Sequence, residues 1–451
     1  MNNNNRNNSY RCRPVCSVPS LANQPKTYGT SSIVVDYSQH PVKYDIPFED
    51  IVQAFIDCIK NKKTSADCIL FFPVYPQELV RIWEEVRRGI YLPGKSKKFV
   101  VKWPVAREIF AASFADRIIH HWWAARVNPL YEELFNSQGN VTMNCRKGYG
   151  SLKAVSKVRE IVDAHPDWYV GKFDFEGYFM SMDKMLLWQS ISRFLHLNYT
   201  GNDLVVLLYI TRVLVLHSPQ KNCIRRSPSH YWDNIPPKKT LSCQPEGKGC
   251  AIGNLPSQLN ANFLGAFLDY YITVEKGVKD YVRFVDDFVV FLPTGKEVAS
   301  MVPGIEYYTA TRMLITLHPR KRFIQPVRQG FLFVGAYIHP GRTYISNRTR
   351  GRMMEKIHHY NKIAEEEKCK DHLEKFVQSM NSYLGMMVHY KTYNIRHGVM
   401  MALHKNWWKY IMFDGHLNKI IIRKQYKPLV VLKNKIKKRE YRKMLTPELE
   451  P

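Results

Sequence analysis

The chain has 451 residues, enough for two or three subdomains with their own cores, and 45 % of them are apolar, so most of it folds. Lys and Arg number 66 against 39 Asp and Glu, a formal charge of +27, which favours a polyanionic partner, nucleic acid or an anionic membrane surface. No apolar run approaches the roughly 18 to 20 residues of a membrane span, and MNNNNRNNSYRCRPVC at the N-terminus lacks the apolar centre of a secretory signal. A soluble cytoplasmic protein without membrane contact is expected. Nine scattered cysteines, an odd count, argue against a closed disulfide framework. Cys12 and Cys16 lack the second pair that a zinc finger needs and read as free thiols.

Residues 1–32, rich in Asn, Ser and Pro, read as a disordered tail. Helical periodicity follows in PFEDIVQAFIDCIKNKK, whose basic end suits a helix C-terminus, and in YPQELVRIWEEVRRGIY. KKFVVKWPVAREIFAASF passes from strand-like to helical, and ADRIIHHWWAARVNPLYEELF continues as an amphipathic helix. DWYVGKFDFEGYFMSMD reads as a strand running through a turn into a helix. Residues 216–250 are dense in Pro, Ser and Lys and read as a long loop, which at that length is usually functional or disordered. SQLNANFLGAFLDYYITVEKG is helical, and YVRFVDDFVVF is strand, tight turn, strand. A helix near 296–314, short strands over 331–345 and helices across 346–411 follow, then the strongly basic KQYKPLVVLKNKIKKREYRK.

Asp286 and Asp287 interrupt an apolar run, where like charges repel and lose hydration. A divalent cation stabilises such a cluster, being a large local charge with hard oxygen ligands. Mg²⁺ takes one or two protein carboxylates and completes its shell with substrate phosphates. Two such ions about 4 Å apart activate a 3′-hydroxyl and stabilise leaving pyrophosphate. A third acid on a neighbouring strand is then required, and Asp174 in GKFDFEGYF supplies it. The plainer alternatives are that Asp174 caps the next helix and that the pair is a solvated turn.

Over residues 45–345 the chain resembles the reverse transcriptases: FDFEGYF, IGNLPSQ, FVDD, LHPRK and GFLFVG stand in the order of that family's palm motifs. The resemblance implies an α+β right-hand polymerase, with an antiparallel palm sheet packed on helices and a helical thumb. Fingers would cover 33–168, the palm 169–345 with a loop insertion at 211–249, and the thumb with its basic tail 346–451. By that likeness Asp174, Asp286 and Asp287 hold two Mg²⁺ ions, with Phe175 in the same metal site. Phe284 replaces the usual Tyr, keeping the ring and dropping the hydroxyl.

Further roles follow from the same likeness. Lys321 matches a lysine that protonates leaving pyrophosphate, with Arg320 and Arg322 as alternative phosphate contacts. Phe179 falls at the aromatic gate against a ribose 2′-hydroxyl, or is a core ring. Ile252 and Gly253 fall at the dNTP pocket with Arg107, the fingers arginine, and Lys102 upstream of it. Arg suits bidentate phosphate binding and Lys acts as a point charge. Arg146, Lys147, Ser257 and Gln258 are expected along template and primer, and Gly330, Phe331 and Gly335 in the primer grip.

The likeness narrows at IGNLPSQ. Where the family has Gln-Gly-x-x-x-Ser-Pro, Ile252 replaces the Gln and Gln258 the Pro. With AREIFAASFADRIIHHWWAARV, NCRKGYGSL and RTYISNRTRG, this is similar to reverse transcriptases of diversity-generating retroelements. That implies bacterial or phage-encoded copying of template RNA into cDNA, with errors opposite adenine, alongside a small pentameric accessory variability protein. Chemically, a Gln beside the nascent pair hydrogen-bonds and fixes geometry, whereas Ile252 can only pack, a loss of about 1 kcal/mol or more in discrimination. Simple packing is the alternative. Two rival functions share much of this pattern: a reverse transcriptase of bacterial antiviral defence, and a non-catalytic RNA-binding scaffold of polymerase fold. Retention of the three aspartates speaks against the scaffold.

Overall fold

The computed structural model describes residues 40–60, 65–102 and 105–426; Cys12, Cys16, the Asn-rich tail and the basic segment beyond Tyr426 lie outside them. Three helices come first, α1 (Phe48–Ile59), α2 (Ala66–Phe71) and α3 (Tyr75–Arg87), then strands β1 (Ser96–Val101) and β2 (Arg107–Ala111). Next are α4 (Phe114–Ser137), α5 (Ser151–Ala164), β3 (Tyr169–Phe173), α6 (Tyr178–Ser181), α7 (Lys184–Asn198), α8 (Leu204–Leu216), β4 (Cys223–Arg225) and α9 (Leu255–Tyr270). The hairpin β5 (Tyr281–Phe284) and β6 (Asp287–Leu292) leads to α10 (Gly295–Tyr308), β7 (Phe323–Pro326), β8 (Phe331–Phe333), β9 (Ala336–His339) and β10 (Arg342–Ile345). Helices α11 (Asn347–Glu365), α12 (Cys369–Met387) and α13 (Tyr393–Met401) precede β11 (Ile411–Phe413) and β12 (Ile420–Ile422).

The described chain is mixed α and β and falls into two compact units. One runs to Tyr131 and takes Gly177–Ala261; the other takes Glu132–Glu176 and the residues from Asn262. This cut differs from boundaries at 168 and 345, because the last helices group with the β3 sheet and residues 177–261 group with the N-terminal helices.

In the first unit, β1 pairs antiparallel with β2 and parallel with β4. REIFA, expected to open a helix, is therefore strand: its Ile109 and Phe110 are buried, and pairing with FVV outweighs the local helical pattern. The expected loop is also shorter and better ordered. LVVLLYITRVLVL is apolar almost all round, as a buried helix requires, and stays helical to Leu216. The segment after it docks through Glu108, whose side chain is fully buried. Glu108 accepts from Trp232 Nε1 (2.9 Å), the Leu241 amide (2.7 Å) and Ser242 Oγ (3.0 Å), and pairs with Lys98 at 2.9 Å. Burial alone would raise the Glu108 pKa, but the hydrogen bonds from Lys98 and Trp232 outweigh it and hold the carboxylate below its usual range.

In the second unit the four-stranded sheet runs β5-β6-β3-β7, antiparallel throughout. Its central strand β6 is buried on both faces. Val289 and Phe291 join Val155, Val158 and Val162 of α5 and Phe331, Phe333 and Ile338 of β8 and β9 in one core. Phe288 instead packs with Phe173, Phe175 and Tyr281. Ser346 caps α11 through the Thr349 amide, and α11, α12 and α13 close over Trp407, which stacks on Phe376 at 4.0 Å. The hairpin of β11 and β12 was not legible as strand, although its III run is β-branched.

Candidate functional site

The site begins with register. β3 and β6 pair Lys172 with Val289 and Phe173 with Phe288, and just past the end of that ladder Asp174 lies near enough to Asp287 for its charge to help raise the Asp287 pKa. Phe284 pairs with Asp287, which leaves Val285 and Asp286 as the two-residue turn. Asp174 is pinned from its other side: its carbonyl accepts from the His318 amide at 2.8 Å, and Phe175 bridges to Leu317.

Lys321, 147 residues along the chain, pairs its ammonium with Asp174 Oδ2. Asp174 is 6 % exposed, and its other carboxylate oxygen, Oδ1, is buried with no hydrogen-bond partner. Such an orphan costs about 1 to 3 kcal/mol. Burial alone would lower the Lys321 pKa; the hydrogen bond and charge of Asp174, joined by Asp286 and Asp287, outweigh it and raise it. Lys321 is thus a full cation at neutral pH.

Asp287 shows the opposite strain. Burial raises its pKa, and the Asp174 charge adds to this against the attraction of Lys172, 3.7 Å away, and of Lys321. The folded state therefore holds the Asp287 proton more tightly than the unfolded state. Stability from that proton is present at low pH and lost as pH rises through the folded pKa. Asp287→Asn should melt slightly higher at pH 7 without divalent cation, by on the order of 1 °C, with the gain vanishing near about pH 3. A melting series over pH checks this.

Among the described residues no three or more His, Cys, Asp or Glu gather closely enough to hold a metal with protein ligands alone. Instead the aspartates share a lysine. Mg²⁺ asks less, one or two carboxylates, and the orphaned Asp174 Oδ1 is the kind of acceptor it takes up.

The turn itself is strained. Val285 has φ +60°, a left-handed conformation that a β-branched residue avoids, at a cost of about 1 to 3 kcal/mol. Its N–H donates to Asn144 Oδ1 at 2.8 Å, and its carbonyl accepts from Arg283 Nη1 at 3.2 Å. Neither Asn144 nor Arg283 was singled out from sequence. The available signal was an arginine inside an otherwise apolar strand, a position that demands a buried partner.

The other expected residues are placed as follows. Phe179 and Ile252 meet in one small apolar cluster with Phe110, Met180, Leu241 and Ala251 in the first unit. The Ile252 carbonyl accepts from the Phe110 amide at 2.9 Å. Gly253 has φ +116°, and a Cβ there would stand 2.9 Å from the Phe110 carbonyl, so a side chain is excluded. Arg107 and Lys102 are exposed, with the Lys102 ammonium 3.5 Å above the Tyr231 ring. Lys147 is exposed, as a phosphate contact requires. Gln258 is partly exposed in the first turn of α9.

Three placements differ from expectation. Arg146 is buried, spent on Glu132, Asn136, Asn140 and the Thr142 carbonyl, so its guanidinium is an internal tie and not a template contact. Ser257 is buried and lines a small cleft with His120, Lys184 and Asn260. Phe331 is core, its ring tilted against that of Phe291, and the outward residue of β8 is Leu332. Gly330 and Gly335 flank β8, the latter in the turn with Val334.

No protein-family model matches the chain, and no curated protein matches it. Among solved structures it is similar to telomerase from Candida albicans in complex with a TWJ fragment of telomeric RNA, at TM-score 0.39 and 10 % identity, covering 76 % of this chain and 63 % of that one. Apo telomerase from Candida tropicalis gives TM-score 0.37 and 10 % identity over 79 % and 68 %. The form truncated from its C-terminal domain gives 0.40 and 12 % over 56 % and 55 %. The chain thus spans less than two-thirds of the first and last of these. These likenesses are loose, and the reading of the site rests on its own geometry.

Proposed function

We propose that the chain is an RNA-directed DNA polymerase that joins dNTPs to a primer 3′-hydroxyl on an RNA template. The observation that carries this is the aspartate group: Asp174 just past the end of β3 and electrostatically coupled to Asp287 at the start of β6, Asp286 on the turn, and a buried Asp174 oxygen without a partner. Bound Mg²⁺ would supply activation of the attacking hydroxyl and neutralisation of phosphate charge. Asp174, Asp286 and Asp287 would hold it, with Phe175 beside them. Lys321, with a side chain 58 % exposed, has room to leave Asp174 when another cation takes its place. Its Nζ then offers a proton to the pyrophosphate oxygen as the P–O bond breaks.

The finer reading is adenine-mutagenic copying in a retroelement, with a template RNA and a pentameric accessory protein as partners. Its support is Ile252, held in an apolar cluster without a polar side chain to constrain the nascent pair. The test is Mg²⁺-dependent cDNA synthesis on a primed RNA, with and without the accessory protein, read by sequencing. Ile252→Gln should lower misincorporation opposite template adenine about fivefold; an unchanged adenine error rate removes this role. Absence of any extension under both conditions would leave the scaffold reading standing.

A further inference from the structure

Arg283 and Asp269 are both fully buried and joined by two hydrogen bonds, Nε to Oδ1 at 2.7 Å and Nη2 to Oδ2 at 2.6 Å. Asp269 also accepts from the hydroxyls of Tyr281 (2.8 Å) and Thr142 (2.6 Å). Arg283 Nη2 reaches Thr142 Oγ1 at 2.7 Å. Room for the guanidinium exists because α9 carries Gly265 there; a Cβ would lie 2.3 Å from its carbon. A buried ion pair is a poor device for stability alone, since a well-packed apolar pair does as well or better. What an apolar pair cannot do is donate to a backbone carbonyl, and Arg283 Nη1 donates to Val285.

The other polar group of Val285 is held in the same manner. Asn144 takes its N–H, and the Asn144 carbonyl accepts from Asn262 Nδ2 at 2.7 Å. The segment 141–144 is itself tied to β5, through Arg283 N–H to the Val141 carbonyl and Met143 N–H to the Arg283 carbonyl, both 2.9 Å. The left-handed residue before Asp286 is thus braced at both ends of its peptide.

We infer that Arg283, fixed by Asp269, is a positioning residue that holds the Val285–Asp286 turn in its left-handed conformation and so aims Asp286, an inference that rests on the polymerase reading above. Arg283 is fully buried and presents no surface to a ligand. It acts through the turn.

The test uses the full chain. Arg283→Lys keeps a charge for Asp269 but cannot also reach Val285, so primer-extension kcat should fall about 100-fold with dNTP KM changed less than about threefold. Hydrogen exchange in the peptide spanning 281–291 should speed up. Val285→Gly, which takes positive φ without penalty, should restore at least about tenfold of the lost kcat on the Arg283→Lys background. A residue that merely stabilised the core would show no such rescue. Should Arg283→Lys not fold, Asn144→Ala removes the other brace and is expected to show the same loss and rescue. Unchanged kcat, or loss without rescue by Val285→Gly, overturns the inference. If the wild type extends no primer, the polymerase reading fails instead, and exchange alone decides: faster exchange over 281–291 at unaltered melting supports the brace, and unaltered exchange refutes it.

Discussion

Asp174→Asn should reduce primer extension about 1,000-fold or more while the protein folds as before. The size follows from what the carboxylate would do: a cation held there supplies several kcal/mol of charge stabilisation in the transition state, and each 1.4 kcal/mol or so is tenfold in rate. The fold should be indifferent. Asn keeps the shape, its buried neutral amide costs less than an ionised oxygen without a partner, and Lys321, largely exposed, returns to solvent. Because the Lys321 end of the pair is at the surface and regains water, the melting temperature should stay within about 2 °C. Extension assays beside thermal melts separate the two effects. Retention of more than roughly a tenth of wild-type activity would remove Asp174 from the site.

Asp269→Ala should be the most damaging substitution for stability, at about 3 to 5 kcal/mol, because it strands a fully buried arginine. It also leaves the Tyr281 and Thr142 hydroxyls without their carboxylate. At this chain size the loss corresponds to a fall of about 3 to 5 °C in melting temperature. The double variant Arg283→Met with Asp269→Leu removes both charges and should recover much of that loss. It should not recover extension, since neither side chain can donate to Val285. Recovery of both, or a loss under about 1 kcal/mol for Asp269→Ala, would show that the pair neither bears the local fold nor orders the turn.

Local pattern carried a good deal of this protein. YVRFVDDFVVF was legible as a hairpin because two apolar strands meet at a polar break, with Asp286 and Asp287 expected at the turn; the structure turns one residue earlier, at Val285 and Asp286, and places Asp287 at the start of β6. Most helices followed from apolar periodicity in the same way. Where local pattern misled, pairing was the reason: REIFA became strand because FVV lay beside it. The chain by itself also required a counter-charge, since adjacent carboxylates in an apolar run repel each other and lose hydration.

Which counter-charge, and from where, was a tertiary matter. Lys321 reaches Asp174 across 147 residues, and the pairing of β3 with β6 brings the end of β3, just before Asp174, beside the start of β6, where Asp287 stands. A charged residue carries no local mark of whether it will face water or a buried acceptor. Arg146 in its Gly-containing turn looked outward, and four acceptors 4 to 14 residues upstream drew it in once the chain folded back from α4. Arg283 and Gly265 were visible only as oddities, a cation in an apolar strand and a glycine inside a helix. Their meaning depends on each other through space: the missing side chain on α9 makes room for the guanidinium, and no periodicity links positions on different elements.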